Sequence, residues 1–328
     1  MKKRLNEIVV NNVRKHMPAG KSVVSFLMDL LDLAKESTYR RIRNEIPFTF
    51  EEIFKIALYF NISLDEIVGQ GSNNRRVFFN LRECESTNSI LQLKEVMLEI
   101  IDILHKVRHA NNSKVILAGN HFPMIFSLTF PNITKFRYYK WVHQVENVPL
   151  NFYYSDFSIP QEIFNLQKEL KYNFQKVKKL KILLDKNVIL SIVMDANYFY
   201  KRNLISESEL RVIQSELYEC VDMVEEMTRK GVTQEGSEVL IYLSHLNIES
   251  NGSYFEYDDE ACSQLWSYFS VPISISNPQA SFAHKKWLDS LKKYSTLITQ
   301  SGEIQRSEFL NWQREIISKI DIDLLWKK

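Results

Sequence analysis

The sequence predicts a mainly α protein of two domains: a five-helix bundle over residues 1–70, a linker over 71–85, and a larger α+β domain over 86–328 with a small antiparallel sheet. Three observations lead there. A chain of 328 residues with 45% hydrophobic content exceeds one small core and can fill two. Helix signals follow one another in quick succession through the first seventy or so residues. After a mixed middle region the signal changes to strands from Glu238.

Leu5, Ile8, Val9, Asn12 and Val13 recur at the three-and-four spacing of an amphipathic helix, which Pro18-Ala19-Gly20 ends. Ser22 can cap a second helix, whose apolar face is Val23, Phe26, Leu27, Leu30 and Leu31 and whose pattern is interrupted from Asp32 to Lys35. A short third helix runs from about Glu36 to Asn44, with Tyr39 and Ile42 facing inward. Pro47 bars its continuation, because the residue before proline avoids helical geometry. Thr49 with Glu52 is a capping box opening a fourth helix that bears Ile53, Ile56, Ala57 and Phe60. Ser63 with Glu66 opens a fifth, bearing Leu64, Ile67 and Val68, and Gly69 closes the set.

Five short helices with an abrupt turn between the second and third resemble helix-turn-helix domains of the lambda-repressor and Cro type. The stretch 37–43 looks like the recognition helix, and 53–67 looks like the closing helix pair of that family. The turn, Leu31-Asp32-Leu33-Ala34-Lys35, lacks the glycine common there, and two registers one residue apart fit it. The resemblance implies that one exposed helix enters the major groove of double-stranded DNA. With Tyr39 and Ile42 inward, the helical period turns Ser37, Thr38, Arg40 and Arg41 to the groove, flanked by Lys35, Glu36 and Arg43. Arg40 and Arg41 are then the leading base readers, since an arginine can donate two hydrogen bonds to guanine. Lys35 and Arg43 suit phosphate, as do Lys21 and Ser22 at the start of the second helix, where free backbone N–H groups converge.

Charge distribution agrees with that reading. The whole chain carries only +2, but residues 1–46 hold ten Lys and Arg against five Asp and Glu, a local +5. The remaining 32 basic and 35 acidic residues leave the rest of the chain at −3.

In the larger domain, a helix over about Thr87 to His109 carries Ile90, Leu93, Met97, Ile100, Leu104 and Val107 in a heptad rhythm, broadened by Val96, Ile101 and Ile103 toward core burial. Val115 to Ala118 and Phe122 to Phe130 suggest short strands, and Phe136 to Val142 fits either strand or helix. Helices are expected over about Pro160 to Leu183, Asn187 to Arg202, and from Ser206, boxed by Glu209, to Gly231. Strands are expected over Val239 to Ile248, Tyr254 to Tyr257 and Val271 to Ser276, with Asn251-Gly252 as a turn. Helices over about Ala280 to Thr296 and Glu303 to Ile320 finish the chain. The polar cluster between them, Ser295 to Glu303 with Arg306 after it, reads as a helix start at Ser301 and Glu303, a cheaper account than a site for an anionic ligand.

Other function classes find little support. No apolar run reaches the eighteen residues of a membrane span, no secretory signal opens the chain, and Cys84, Cys220 and Cys262 are too scattered for a disulfide framework or zinc pair. A reducing, cytoplasmic setting without a membrane partner is expected. There is no phosphate loop, nucleophile elbow or metalloprotease motif, and His105 and His109 lack a third ligand. Hence no catalytic residue, metal or cofactor is assigned, and no enzyme is expected. The expected function is a sequence-specific transcription regulator of the bacterial one-component kind. Its larger domain would form a homodimer, through the helices near 90–107 or 210–227, and sense a small-molecule or protein effector. The alternative is a DNA-tethered protein whose C-terminal domain is an enzyme or an interaction scaffold.

Overall fold

The computed structural model describes residues 2–17, 20, 22–60, 64, 89–268, 271–275 and 278–320. The chain divides into two compact units, Met1–Phe78 and Phe79–Lys328. The fifth helix expected from Ser63 and the linker expected over 71–85 lie outside the described residues.

In the first unit α1 (Lys2–His16), α2 (Val23–Leu31), α3 (Lys35–Ile42) and α4 (Phe50–Phe60) follow the apolar periods of the sequence. Their stripes meet in one core of Val9, Val10, Val13, Leu27, Leu31, Phe48, Ile53, Ile56 and Ala57. The Thr49 box forms as its spacing requires: the Glu52 amide donates to Thr49 Oγ1 at 3.2 Å and the Thr49 amide to Glu52 Oε2 at 2.8 Å. One polar side chain completes this core. Asn6, 1% exposed, donates through Nδ2 to the carbonyls of Arg41 (2.9 Å) and Ile46 (2.7 Å) and accepts at Oδ1 from the Phe48 amide (3.1 Å). It thus fastens α1 to the end of α3 and to the loop after it.

The second unit runs α5 (Ser89–His109), β1 (Ser113–Gly119), α6 (Met124–Ser127), α7 (Pro131–Val145), α8 (Gln161–Gln175), β2 (Lys179–Leu184), α9 (Leu190–Lys201), α10 (Glu207–Lys230) and β3 (Glu238–Ser244). Then come β4 (Asn251–Tyr257), β5 (Glu260–Tyr268), β6 (Val271–Ile275), α11 (Pro278–Leu291), β7 (Ser295–Leu297) and α12 (Glu303–Ser318). The sheet is mixed and has seven strands in the order β6-β5-β4-β1-β2-β3-β7. Strands β1, β2 and β3 are parallel neighbours, and β4 to β6 and β7 join their two sides antiparallel. The small antiparallel sheet expected from the sequence is therefore one wing of a larger mixed sheet.

Side-chain alternation explains the layers. Val115, Leu180, Ile182, Val239 and Ile241 point to one face, into a core shared with α5 to α10 and α12. Ile116, Ala118, Leu183, Tyr242 and Tyr254 point to the other, which α11 covers with Leu288 and Trp287. Parallel strands buried on both faces lose the polar alternation by which strands are recognised. In β2 only Lys179-Leu180-Lys181-Ile182 alternates before Leu183 and Leu184 fill both faces, so the helix expected over about Pro160 to Leu183 takes in a segment that is strand.

Other elements also differ from expectation. The span 122–130 is not a strand but a turn and the short α6, because Pro123 and Pro131 bracket it and each starts a helix. Asn251-Gly252 opens β4 instead of making a turn, and the turn falls at Asp258, with φ 49°. Gly302, in the left-handed region at φ 56°, takes the cap position of α12 expected of Ser301. The Ser206 capping box and the Gly231 stop of α10 (φ 75°) form as read. The apolar stripes near 90–107 and 210–227, expected to supply a dimer surface, are spent on the unit's own core. Among the described residues no helix is long and apolar enough to cross a membrane.

Candidate DNA-binding site

The unit α2–turn–α3 is set by caps. Ser22 starts α2 by accepting the Ser25 amide at 3.5 Å, and Leu27 and Leu31 bury its inner face. The helix is stopped by Asp32, which takes left-handed geometry (φ 53°, ψ 50°) while its amide bonds to the Met28 carbonyl. The Leu33 amide reaches the same carbonyl at 3.2 Å, closing a Schellman-like turn without glycine. Aspartate tolerates this region better than most residues, so the missing glycine is replaced and not dispensed with. This fixes the register: Ala34 is the N-cap of α3 and Lys35 its first residue.

The far end of α3 closes on Asn44, again left-handed at φ 63°, with the amides of Glu45 and Ile46 both on the Arg40 carbonyl at 2.8 and 3.3 Å. The helix thus ends before Pro47 is reached.

Which face of α3 looks outward follows from burial and partners. Thr38 is fully buried and its hydroxyl returns to the Ala34 carbonyl at 3.2 Å. Arg41 is buried too. Its Nε and Nη2 donate to Glu52 Oε2 and Oε1 at 2.9 and 2.7 Å, and its Nη1 donates to Ser37 Oγ at 2.6 Å. Both residues were expected to face the groove, and the structure corrects this. The apolar period selects Tyr39 and Ile42 as the inner pair; Ile42 does pack against the core, while the bidentate bond to Glu52 and the Asn6 bond to the Arg41 carbonyl hold Arg41 on the inner side as well.

The outward face consists of Lys35, Glu36, Arg40 and Arg43, all exposed, with Tyr39 half-buried beside them. The Arg43 guanidinium lies 5.4 Å from the Tyr39 ring centre, and Arg40 Nε lies 3.5 Å from Glu45. Ser37 is half-buried and engaged by Arg41; Ser22 is exposed; Lys21 lies outside the described residues.

Residues 4–93 match the BetR domain. BetR is a family of helix-turn-helix-type DNA-binding domains, and the match takes in all of α2, the Asp32 turn and α3. No curated protein and no solved structure matches the chain. Tyr39, expected inside, is half-buried at the edge of the outward face, against Arg43. Its signal was the arginine four residues on, since i,i+4 pairs lie on one helix face.

Proposed function

We propose that this protein is a sequence-specific DNA-binding transcription regulator whose α3 enters the major groove in the manner of lambda-repressor and Cro-type domains. The observation that carries the reading is the coincidence of the BetR match with a capped helix, tight turn and second helix whose outer face offers Lys35, Arg40 and Arg43. Arg40 is the leading base reader, with Tyr39 and Glu36 beside it. Lys35 and Arg43 bind phosphate, joined by Lys21 and Ser22 at the start of α2. The larger unit serves regulation and not catalysis: it dimerises and receives an effector, as in one-component regulators.

Selection of bound duplexes from random DNA with the full chain tests the central claim. Enrichment of one motif, as two similar half-sites about 34 Å or a multiple apart, is expected. A pool that remains random at moderate salt overturns it. Sedimentation of the same protein tests the dimer, which a monomer both free and on the selected site would refute.

A further inference from the structure

A cavity of about 290 Å³ opens in the second unit at the carboxyl ends of β1 and β2. Open α/β sheets bind ligands outside the carboxyl ends of their parallel strands. The rim is fastened: Asn251 Oδ1 accepts the amides of Asn120 (3.0 Å) and His121 (3.3 Å), and Trp266 Nε1 is fixed on Ser253 Oγ at 2.9 Å. The walls are largely apolar, with Phe122, Met124, Ile125, Ile192 and Trp266 among them.

The charges are few and unequal. Arg137 and Lys140, one helical turn apart on α7, face the cavity against one carboxylate, Asp195 on α9, which is ion-paired to Lys140. Arg137 Nη1 is held by the Phe122 carbonyl at 3.0 Å and Ser127 Oγ at 3.1 Å, so the guanidinium is in place before any ligand arrives. Burial draws it down to about 10, which leaves it charged at neutral pH. At the mouth, burial and then the fields of Lys140 and Arg137 hold the His121 imidazole below its ordinary range, against the opposing pull of Asp195. The cavity is thus apolar, preformed and positive. An engineered cavity of about 150 Å³ takes up benzene, so the space here admits one substituted ring.

We propose that this cavity binds a small organic monocarboxylate with a single apolar ring, its carboxylate set between Arg137 and Lys140 and its ring against Trp266 and Phe122. The inference stands on the second unit alone and does not depend on DNA binding.

The test titrates the full chain with benzoate, phenylacetate and 3-phenylpropionate, and with the three matching carboxamides, by calorimetry and tryptophan fluorescence. At least one acid is expected to bind more tightly than its amide by about tenfold or more, the factor of one charge-assisted hydrogen bond. Arg137 also holds the loop, so the variants are placed elsewhere. Lys140→Gln should weaken the acid by about tenfold, whereas Asp195→Asn should leave it as tight or tighter. Ser191→Phe, which sets a ring into the cavity, should abolish binding with the thermal transition retained. No binding by any acid, equal binding of acids and amides, equal weakening by Lys140→Gln and Asp195→Asn, or binding that survives in a folded Ser191→Phe protein would each overturn the proposal.

Discussion

Arg41 and Glu52 form a two-pronged ion pair that joins α3 to α4, with their side chains only 10% and 13% exposed. Removing one partner of such a pair strands the other charge in the interior, whereas removing both need not. Glu52→Gln, which can still accept from the Thr49 amide, should therefore destabilise the first unit by about 3 kcal/mol, and adding Arg41→Met to it should recover most of the loss. Urea denaturation followed by circular dichroism reads both. An unchanged first transition in Glu52→Gln would mean that the pair does not hold α3.

Arg40 looks outward where Arg41 looks inward, so the two should differ in kind. Arg40→Ala should relax preference at one or two base positions by about 1–3 kcal/mol and leave stability alone. Lys35→Ala should weaken all sequences alike and reduce the salt dependence by about one counterion. Competition with single-base variants of the selected site at several salt concentrations separates these effects. An Arg40→Ala protein that kept the wild-type ranking of sites would remove Arg40 as base reader.

Asp32 occupies left-handed backbone that favours glycine, with φ 53°. Asp32→Gly should keep or raise stability by up to about 1 kcal/mol, while Asp32→Ala should lower it by about as much. A loss confined to Asp32→Ala is the diagnostic outcome. A loss in both would point to a role of the carboxylate beyond the turn.

His284 on α11 is buried against Gly252 and stacked on Trp287 at 5.6 Å, and neither ring nitrogen meets a hydrogen-bond partner among the described residues. Burial lowers its pKa below 6.5, so the folded state holds it neutral where the unfolded chain would protonate. The sign follows: stability is present above about pH 6.5 and falls as pH drops below it, by at most about 1.4 kcal/mol per pH unit for this group. His284→Phe should flatten that acid limb, measured as thermal midpoint against pH between about 7 and 5. An equally steep limb in the variant would assign the effect to other groups; burial also lowers His121 and His143.

What the sequence disclosed, and what it withheld, divides along one physical line. Helices with one apolar stripe and a cap were legible, as Ser206 with Glu209 and Thr49 with Glu52 show. Elements buried on two sides were legible only in part: β1 and β3 read as strands, and β2 did not. In β2 the alternation Lys179-Leu180-Lys181-Ile182 gives way at once to Leu183 and Leu184 on both faces, so the period of two is too short to separate the strand from the helix before it. Gly252 reads as a turn residue, yet it sits in β4 because a Cβ there would lie 2.7 Å from His284 Nε2. The candidate site shows the same limit. Periodicity sorts residues by polarity, and a buried arginine with its own carboxylate eleven residues away is invisible to it.

Asn6 gives the first helix a role that its position in the chain conceals. Its amide is the meeting point of backbone groups from residues 41, 46 and 48, which otherwise share no regular structure with α1. The Ile46 carbonyl and the Phe48 amide, in the loop between α3 and α4, therefore take their partner from a helix some forty residues upstream. Seating of α3 is in this way tied to a long-range closure, and a fragment beginning at α2 would lack the side chain that makes it.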